Sequence, residues 1–221
     1  MTDFTMARHN MVESQVRPNG ITDHRIIDAM AAVARENFVP DGRKAIAYLD
    51  EDILIKSGVA GEARYLMEPM AFARMVHLAS IKPTDRVLVV GAGTGYGAKI
   101  VSMLASSVVA LESDAELTVF MKAALSASGN IKVVEGKLAA GCVTDSPYDV
   151  ILVEGRIDAV PDSLFNQLGA EGRIVAAIGA ADVSKVHILT VNDGNRSSRP
   201  AFDASISPLP GFELAKAPFV F

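Results

Sequence analysis

A chain of 221 residues, half of them apolar, is long enough to bury a full core, so no large part of it needs to be disordered. Its formal charge of −5, with Lys and Arg dispersed along the chain, offers no basic stripe to a nucleic acid backbone, and binding to DNA or RNA is not expected. The single cysteine, Cys142, excludes an internal disulfide and reads as a small buried residue in a reducing compartment.

The start, Met1-Thr-Asp-Phe-Thr-Met-Ala-Arg-His9, lacks a basic region followed by an apolar stretch, and no apolar run reaches membrane-spanning length. A cytoplasmic protein without a membrane partner is the expectation. His9, His24, His77 and His187 show no metal-ligand spacing with one another or with Cys142, so no metal is expected. One domain is predicted over residues 1–221, with a helical extension and substrate-side loop over 1–80 and an α/β core over 81–221.

Asp23 is placed to cap a helix through Ile26, Ile27, Met30 and Val33, whose near 3.6-residue recurrence gives one apolar face before Pro40 stops it. Residues 47–55 alternate poorly, and Ser57-Gly-Val-Ala-Gly61 is a loop signal. Pro69 suits the first turn of a helix carrying Met70, Ala73, Val76 and Leu78. From Lys82 the period changes to strand-like runs at 86–90, 107–112, 131–135, 148–153, 173–178, 185–191 and about 201–207. Helical connections are predicted between the first five, which makes a parallel sheet with right-handed crossovers. The last two runs flank the polar segment 192–200, too short for a helical crossover, and are predicted to pair as an antiparallel hairpin.

The most informative segment is Arg86-Val-Leu-Val-Val-Gly-Ala-Gly-Thr-Gly-Tyr-Gly97, followed by Ser107-Val-Val-Ala-Leu-Glu112. It reads as a buried strand, a glycine turn without Cβ atoms in the way of a ligand, a helix over about 96–104, and a second strand ending in a carboxylate. Glu112 stands about one βαβ unit on, where its oxygens could accept both hydroxyls of a ribose. Candidate cofactor contacts are therefore Gly91, Ala92, Gly93, Thr94, Gly95, Glu112 and Ser113. From spacing alone, S-adenosyl-L-methionine, NAD or another nucleotide, and a turn that merely packs a helix on a sheet all stay open. Counted from the strand end, however, the motif is Gly-x-Gly-x-Gly, which resembles motif I of the AdoMet-dependent methyltransferases. Parallel strands closed by an antiparallel hairpin also fit their Rossmann-like α/β fold: a seven-stranded, mostly parallel sheet, here with an N-terminal helical extension.

A narrower resemblance covers about residues 11–180. Met11-Val-Glu-Ser-Gln-Val-Arg17, Gly20-Ile-Thr-Asp23, Arg35-Glu-Asn-Phe-Val-Pro40, Ala47-Tyr-Leu-Asp50, Pro147-Tyr-Asp-Val-Ile151 and Glu171-Gly-Arg-Ile-Val175 resemble segments of the protein-L-isoaspartate O-methyltransferase family. The resemblance implies methyl transfer from AdoMet to the free carboxylate of isoaspartyl residues in aged proteins. Lys137 and Leu138 after the third core strand and Glu154 at the end of the fourth are further candidate cofactor contacts, although Lys137 has no side-chain acceptor and a backbone oxygen or another residue would have to serve there.

Three departures accompany it. Where the family has Gly-Gln-Thr-Ile-Ser-x-Pro, the chain reads Ala63-Arg-Tyr-Leu-Met-Glu-Pro69, so Met67 takes the serine position and Tyr65 the threonine position. Lys137 replaces an acidic residue that can accept from the adenine amino group. Glu154 and Arg156 put charge where the family has small residues and threonine. Arg64, Tyr65 and Met67 are the catalytic-side candidates. Arg64 could grip an acceptor carboxylate bidentately, the alternative being a solvated arginine on the loop, and Glu68 beside Pro69 suits a helix N-terminus without any function. The alternatives kept are a small-molecule or other protein acceptor, and a catalytically silent AdoMet-binding protein. The apolar stretch 208–221 could dock on the body or on a partner subunit, which allows a homodimer.

Overall fold

The computed structural model describes residues 3–58, 62–179, 184–192 and 194–213. Helix α1 (Phe4–Met11) is capped by the Asp3 carboxylate and runs on as a π-helical turn, Val12–Val16, burying Met11, Val12 and Val16. Helix α2 (His24–Ala32) begins at the predicted cap, where Asp23 accepts from the Arg25 amide at 2.9 Å. Helix α3 (Pro69–Ala79) carries its proline at the first turn, as expected.

Between α2 and α3 lies a short antiparallel pair that periodicity does not reveal, β1 (Ile53–Lys56) with β2 (Arg64–Leu66). Two strands of four and three residues are too short to show an alternation of their own.

The core is a seven-stranded sheet in the order β5-β4-β3-β6-β7-β8-β9. Its strands are β3 (Arg86–Val90), β4 (Ser107–Glu112), β5 (Ile131–Glu135), β6 (Tyr148–Ile157), β7 (Leu168–Ile178), β8 (Ser184–Asn192) and β9 (Asn195–Ala204). The first five are parallel, and β8 and β9 close the edge antiparallel. The order reverses between β3 and β6, and a ligand crevice in such a sheet opens outside the carboxyl ends of the strands at that point.

Two expectations are corrected. The last strand does not begin near 201: Asn192 pairs with Asn195, so the chain reverses between them and the polar run from Asn195 onward is strand. Its residues from Asn195 to Ala201 are exposed, because an edge strand with an uncovered face needs no apolar alternation. Nor are all early crossovers helical. Helix α4 (Tyr96–Ser102), α5 (Ala115–Ala124) and the four-residue α6 (Asp162–Phe165) serve three of them, whereas β5 reaches β6 through two 3₁₀ turns, 138–140 and 143–145. Gly136, Gly141 and Pro147 crowd that connection and leave no helix-length run.

Alternate residues of the buried strands feed two cores. One face sends Val87, Val89, Val108, Ala110, Val150 and Leu152 toward α3, α4, α5 and the N-terminal helices. The other sends Leu88, Val90, Leu111, Ile151 and Val153 toward Leu138, Leu164, Leu209 and Phe212, a cover made of short turns and late chain. There the segment after β9 acts as a strap: the Arg156 amide donates to Ser207 O at 2.9 Å and the Leu209 amide to Arg156 O at 2.8 Å. Residues 214–221, and with them the expected docking of their phenylalanines, lie outside the described residues.

Candidate active site

The turn after β3 takes left-handed φ values at Gly91 (+78°) and Gly93 (+55°), a conformation that disfavours any side chain. The amides of Gly91 and Ala92 donate to Leu111 O at 2.9 and 3.1 Å, which ties the turn to the end of β4. The Thr94 hydroxyl, a candidate cofactor contact, is buried and donates to Phe38 O at 2.6 Å, so it fastens the turn to the N-terminal segment.

Glu112 ends β4 fully buried. Its Oε2 accepts from the Gly93 amide at 2.8 Å, and its Oε1 from the amides of Ser113 and Asp114 at 2.7 and 3.0 Å. Oε1 also receives Arg64 Nη1 in an ion pair whose two side chains are 0% and 3% exposed. Arg64 is thus neither solvated nor loop-borne: it stands on β2 and reaches back over the turn, where its Nη2 donates to Gly91 O at 3.2 Å. Lys56, at the end of β1, binds Asp114 at 2.7 Å and Glu116 at 3.0 Å at the start of α5. The β1–β2 pair is held down at both strands over the crevice.

Other apolar groups fill the same space. A Cβ on Gly91 would meet Leu209 Cδ1 at 2.7 Å, one on Gly93 would meet Ile55 Cδ1 at 2.9 Å, and one on Gly155 would meet Leu209 Cβ at 2.8 Å. Beyond Glu112 the crevice stays open. One hollow of about 340 Å³ is lined by Ser113, Lys137, Leu138, Ala139 and Pro210, and a neighbour of about 330 Å³ by Glu62, Arg64, Ser113, Asp114 and Pro210. The predicted contacts Ser113, Lys137 and Leu138 therefore do meet at one place.

A small cavity of about 10 Å³ brings together Arg64, Tyr65, Met67 and Glu154 with Asp52 and the strap. Here the three catalytic-side candidates converge. Met67 is buried, and its carbonyl accepts from Arg35 Nη2 at 2.7 Å. Arg35, fully buried, also donates to Ala47 O at 2.7 Å and lies 4.8 Å from the Tyr96 ring centroid. Burial depresses its pKa. Sequence reasoning gave Arg35 no role of its own, although it sits within the Arg35–Pro40 segment. Leu209 and Ile55 were also missed, since nothing local says that either returns to the glycine turn.

Glu154 packs its carboxyl against Gly97, where a Cβ would fall 1.8 Å from Oε1, and that oxygen is buried without a hydrogen-bond partner. Burial pushes its pKa up to about 8 against the pull of Arg35 and Arg64, with Glu112 adding to the rise. Glu68, at the mouth, is raised to about 7, first by burial and then by the Asp50 and Asp52 carboxylates. It lines a further hollow of about 360 Å³ with Glu51, Asp52, Arg156 and the strap. Among the described residues no group of three or more His, Cys, Asp or Glu could hold a metal ion, and no helix is long and apolar enough to cross a membrane.

The donor set suits AdoMet. A buried carboxylate at the end of β4 matches ribose hydroxyls, the hollow beyond it falls within the size range of small-molecule pockets, and the unpartnered Glu154 oxygen matches an ammonium group. A sheet of this order, with a carboxylate closing the second core strand beside a glycine turn, defines the Rossmann-like methyltransferase class. The family model of protein-L-isoaspartate(D-aspartate) O-methyltransferase matches residues 6–204, and the chain belongs to that family. A protein-L-isoaspartate O-methyltransferase of Koribacter versatilis is 34% identical over 213 residues, covering 96% of this chain and 94% of the relative. One from Methanoculleus marisnigri is 33% identical over 206 residues, covering 92% and 91%.

Among solved structures, a protein-L-isoaspartate O-methyltransferase superposes with a TM-score of 0.80 at 23% identity, over 93% of this chain and 67% of that one. A Plasmodium falciparum protein described as a β-aspartate methyltransferase, in complex with S-adenosyl-L-homocysteine, gives 0.75 at 19%, over 96% and 100%. Both likenesses bear on the fold, and they match its seven strands and antiparallel edge.

Proposed function

We propose that this chain is an AdoMet-dependent O-methyltransferase that esterifies the free carboxylate of isoaspartyl residues in proteins and peptides. The family match over residues 6–204 carries the reading, and the buried Glu112 beside the glycine turn supports it. Residues 1–221 act as one domain in a cytoplasmic setting, with the part before residue 80 supplying the acceptor side and the remainder the cofactor side. Glu112 and Ser113 would hold the ribose, Lys137 and Leu138 would flank the base, and Glu154 would take the ammonium group.

When bound, the cofactor supplies an electrophilic methyl on a cationic sulfur. The acceptor carboxylate is ionised at neutral pH, so the chain needs no general base. Its task is to hold the attacking oxygen in line and to keep water away. Met67 is buried beside Tyr65 on the acceptor side, and Arg35 pins the Met67 carbonyl. A thioether at 67 donates no hydrogen bond, so catalysis rests more heavily on positioning than a serine there would require.

Incubation with labelled AdoMet and an isoaspartyl peptide is expected to give a base-labile methyl ester. Binding of S-adenosyl-L-homocysteine without any ester removes the isoaspartyl activity. A second reading, a different carboxylate-bearing acceptor, is supported by Tyr65 and Met67 beside the carboxylates of Asp52 and Glu154. In that case methyl incorporation appears in a metabolite or protein extract and not in the peptide.

A further inference from the structure

The Arg64–Glu112 ion pair stands where cofactor and acceptor functions meet, and both halves of it are committed. Glu112 Oε1 is filled by Arg64 and the amides of Ser113 and Asp114, while Oε2 accepts only the Gly93 amide, so a ribose that grips both oxygens has to displace the guanidinium. Arg64 Nη2 also covers Gly91 O, at the floor of the turn. A guanidinium leaving Glu112 cannot stay buried without another anion, because an unpaired buried charge is strongly unfavourable. The Arg64 side chain already borders the small cavity formed with Asp52, Tyr65, Met67 and Glu154.

Neither acid in that cavity is paired with Arg64, whose bonds go to Glu112 and Gly91 O. Asp52 is engaged by the amides of Glu68 and Ser207 at 2.9 and 2.8 Å. Glu154 is pressed on Gly97 and is assigned above to the cofactor's ammonium group, so it is committed once the cofactor is bound. A carboxylate arriving from outside has the chemistry to take the freed guanidinium, because arginine binds carboxylates bidentately.

We propose that Arg64 is an exchangeable partner, paired with Glu112 until ribose displaces it and then bound to the carboxylate of the methyl acceptor. This rests on the methyl-transfer reading above and adds an order to it: the cofactor enters first, and its entry builds the acceptor site. The side chain is a positioning and specificity residue, and the ion pair is what couples the two ligands.

The test is calorimetry with S-adenosyl-L-homocysteine on the full chain and on Arg64→Gln, with steady-state kinetics on an isoaspartyl peptide. The variant is expected to bind the demethylated cofactor about fivefold tighter or more, since no ion pair has to be broken. Its peptide KM is expected to rise about tenfold, with kcat changed much less. A purely structural arginine would weaken both ligands together. Unchanged or weaker cofactor binding, or an unchanged peptide KM, overturns the proposal.

Should Arg64→Gln fold poorly, arginine side-chain NMR of the unmodified chain decides: the Arg64 signals must shift when S-adenosyl-L-homocysteine is added, and fixed signals overturn the exchange. A parent that methylates the peptide while the variant shows no opposed shifts leaves the methyl-transfer reading intact and sinks this inference alone. A parent that binds neither ligand removes both.

Discussion

Glu154 sits within β6 with one oxygen unpartnered and its carboxyl pressed on Gly97, so its charge state is set by burial. With a folded pKa near 8 against an ordinary value of 4.5, the folded chain keeps this proton over a range in which the unfolded chain releases it. Stability from this group is therefore complete below about pH 4.5 and is lost as pH rises toward 8, by at most ~1.4 kcal/mol per pH unit. Glu154→Gln keeps the shape and removes the titration. Without ligand, its unfolding free energy is expected to be flatter than the parent's between pH 5 and 8, and parallel profiles would show that Glu154 is ionised in the folded chain.

At the scale of elements, the strap over β6 is a structural member. Leu209, 4% exposed, lays its methyl groups over Gly91 and Gly155. Leu209→Ala is expected to cost about 2–4 kcal/mol in urea unfolding, while a loss below about 1 kcal/mol would mean that the strap lies on the core without contributing to it. The parallel strands could be read from the sequence because strands buried on both faces are unbroken apolar runs, as in Val87–Val90 and Val108–Leu111. The glycine turn and Glu112 were legible for the same reason, since their spacing follows from one βαβ unit. β1, β2 and β9 were hidden or misplaced, two by their length and one by its polar residues. Nothing local could pair Arg64 with Glu112 across 48 positions, or bring Leu209 to Gly91.

Across the whole molecule, Arg64 of the Arg64–Glu112 pair borders both the hollow lined by Glu62, Ser113 and Asp114 and the small cavity beside Met67. In the exchange proposed above, cofactor entry moves the Arg64 side chain, and the dissociation constant includes that work. At one hundred times this constant, S-adenosyl-L-homocysteine is expected to raise the unfolding free energy by about 2.7 kcal/mol, seen as an upward shift in thermal unfolding. Absence of any shift at millimolar ligand would leave the fold and family without the cofactor.

The unequal cover of the sheet bears on biosynthesis. Helices α3, α4 and α5 are made before or among the strands they protect, so that face can close while translation proceeds. Leu209 and Phe212 follow every strand in chain order, and the other face, covered earlier only by Leu138, Leu164 and Phe165, stays incomplete until the ribosome has delivered them. A nascent chain stalled short of residue 206 would expose a sticky apolar flank, the kind of surface that recruits chaperones.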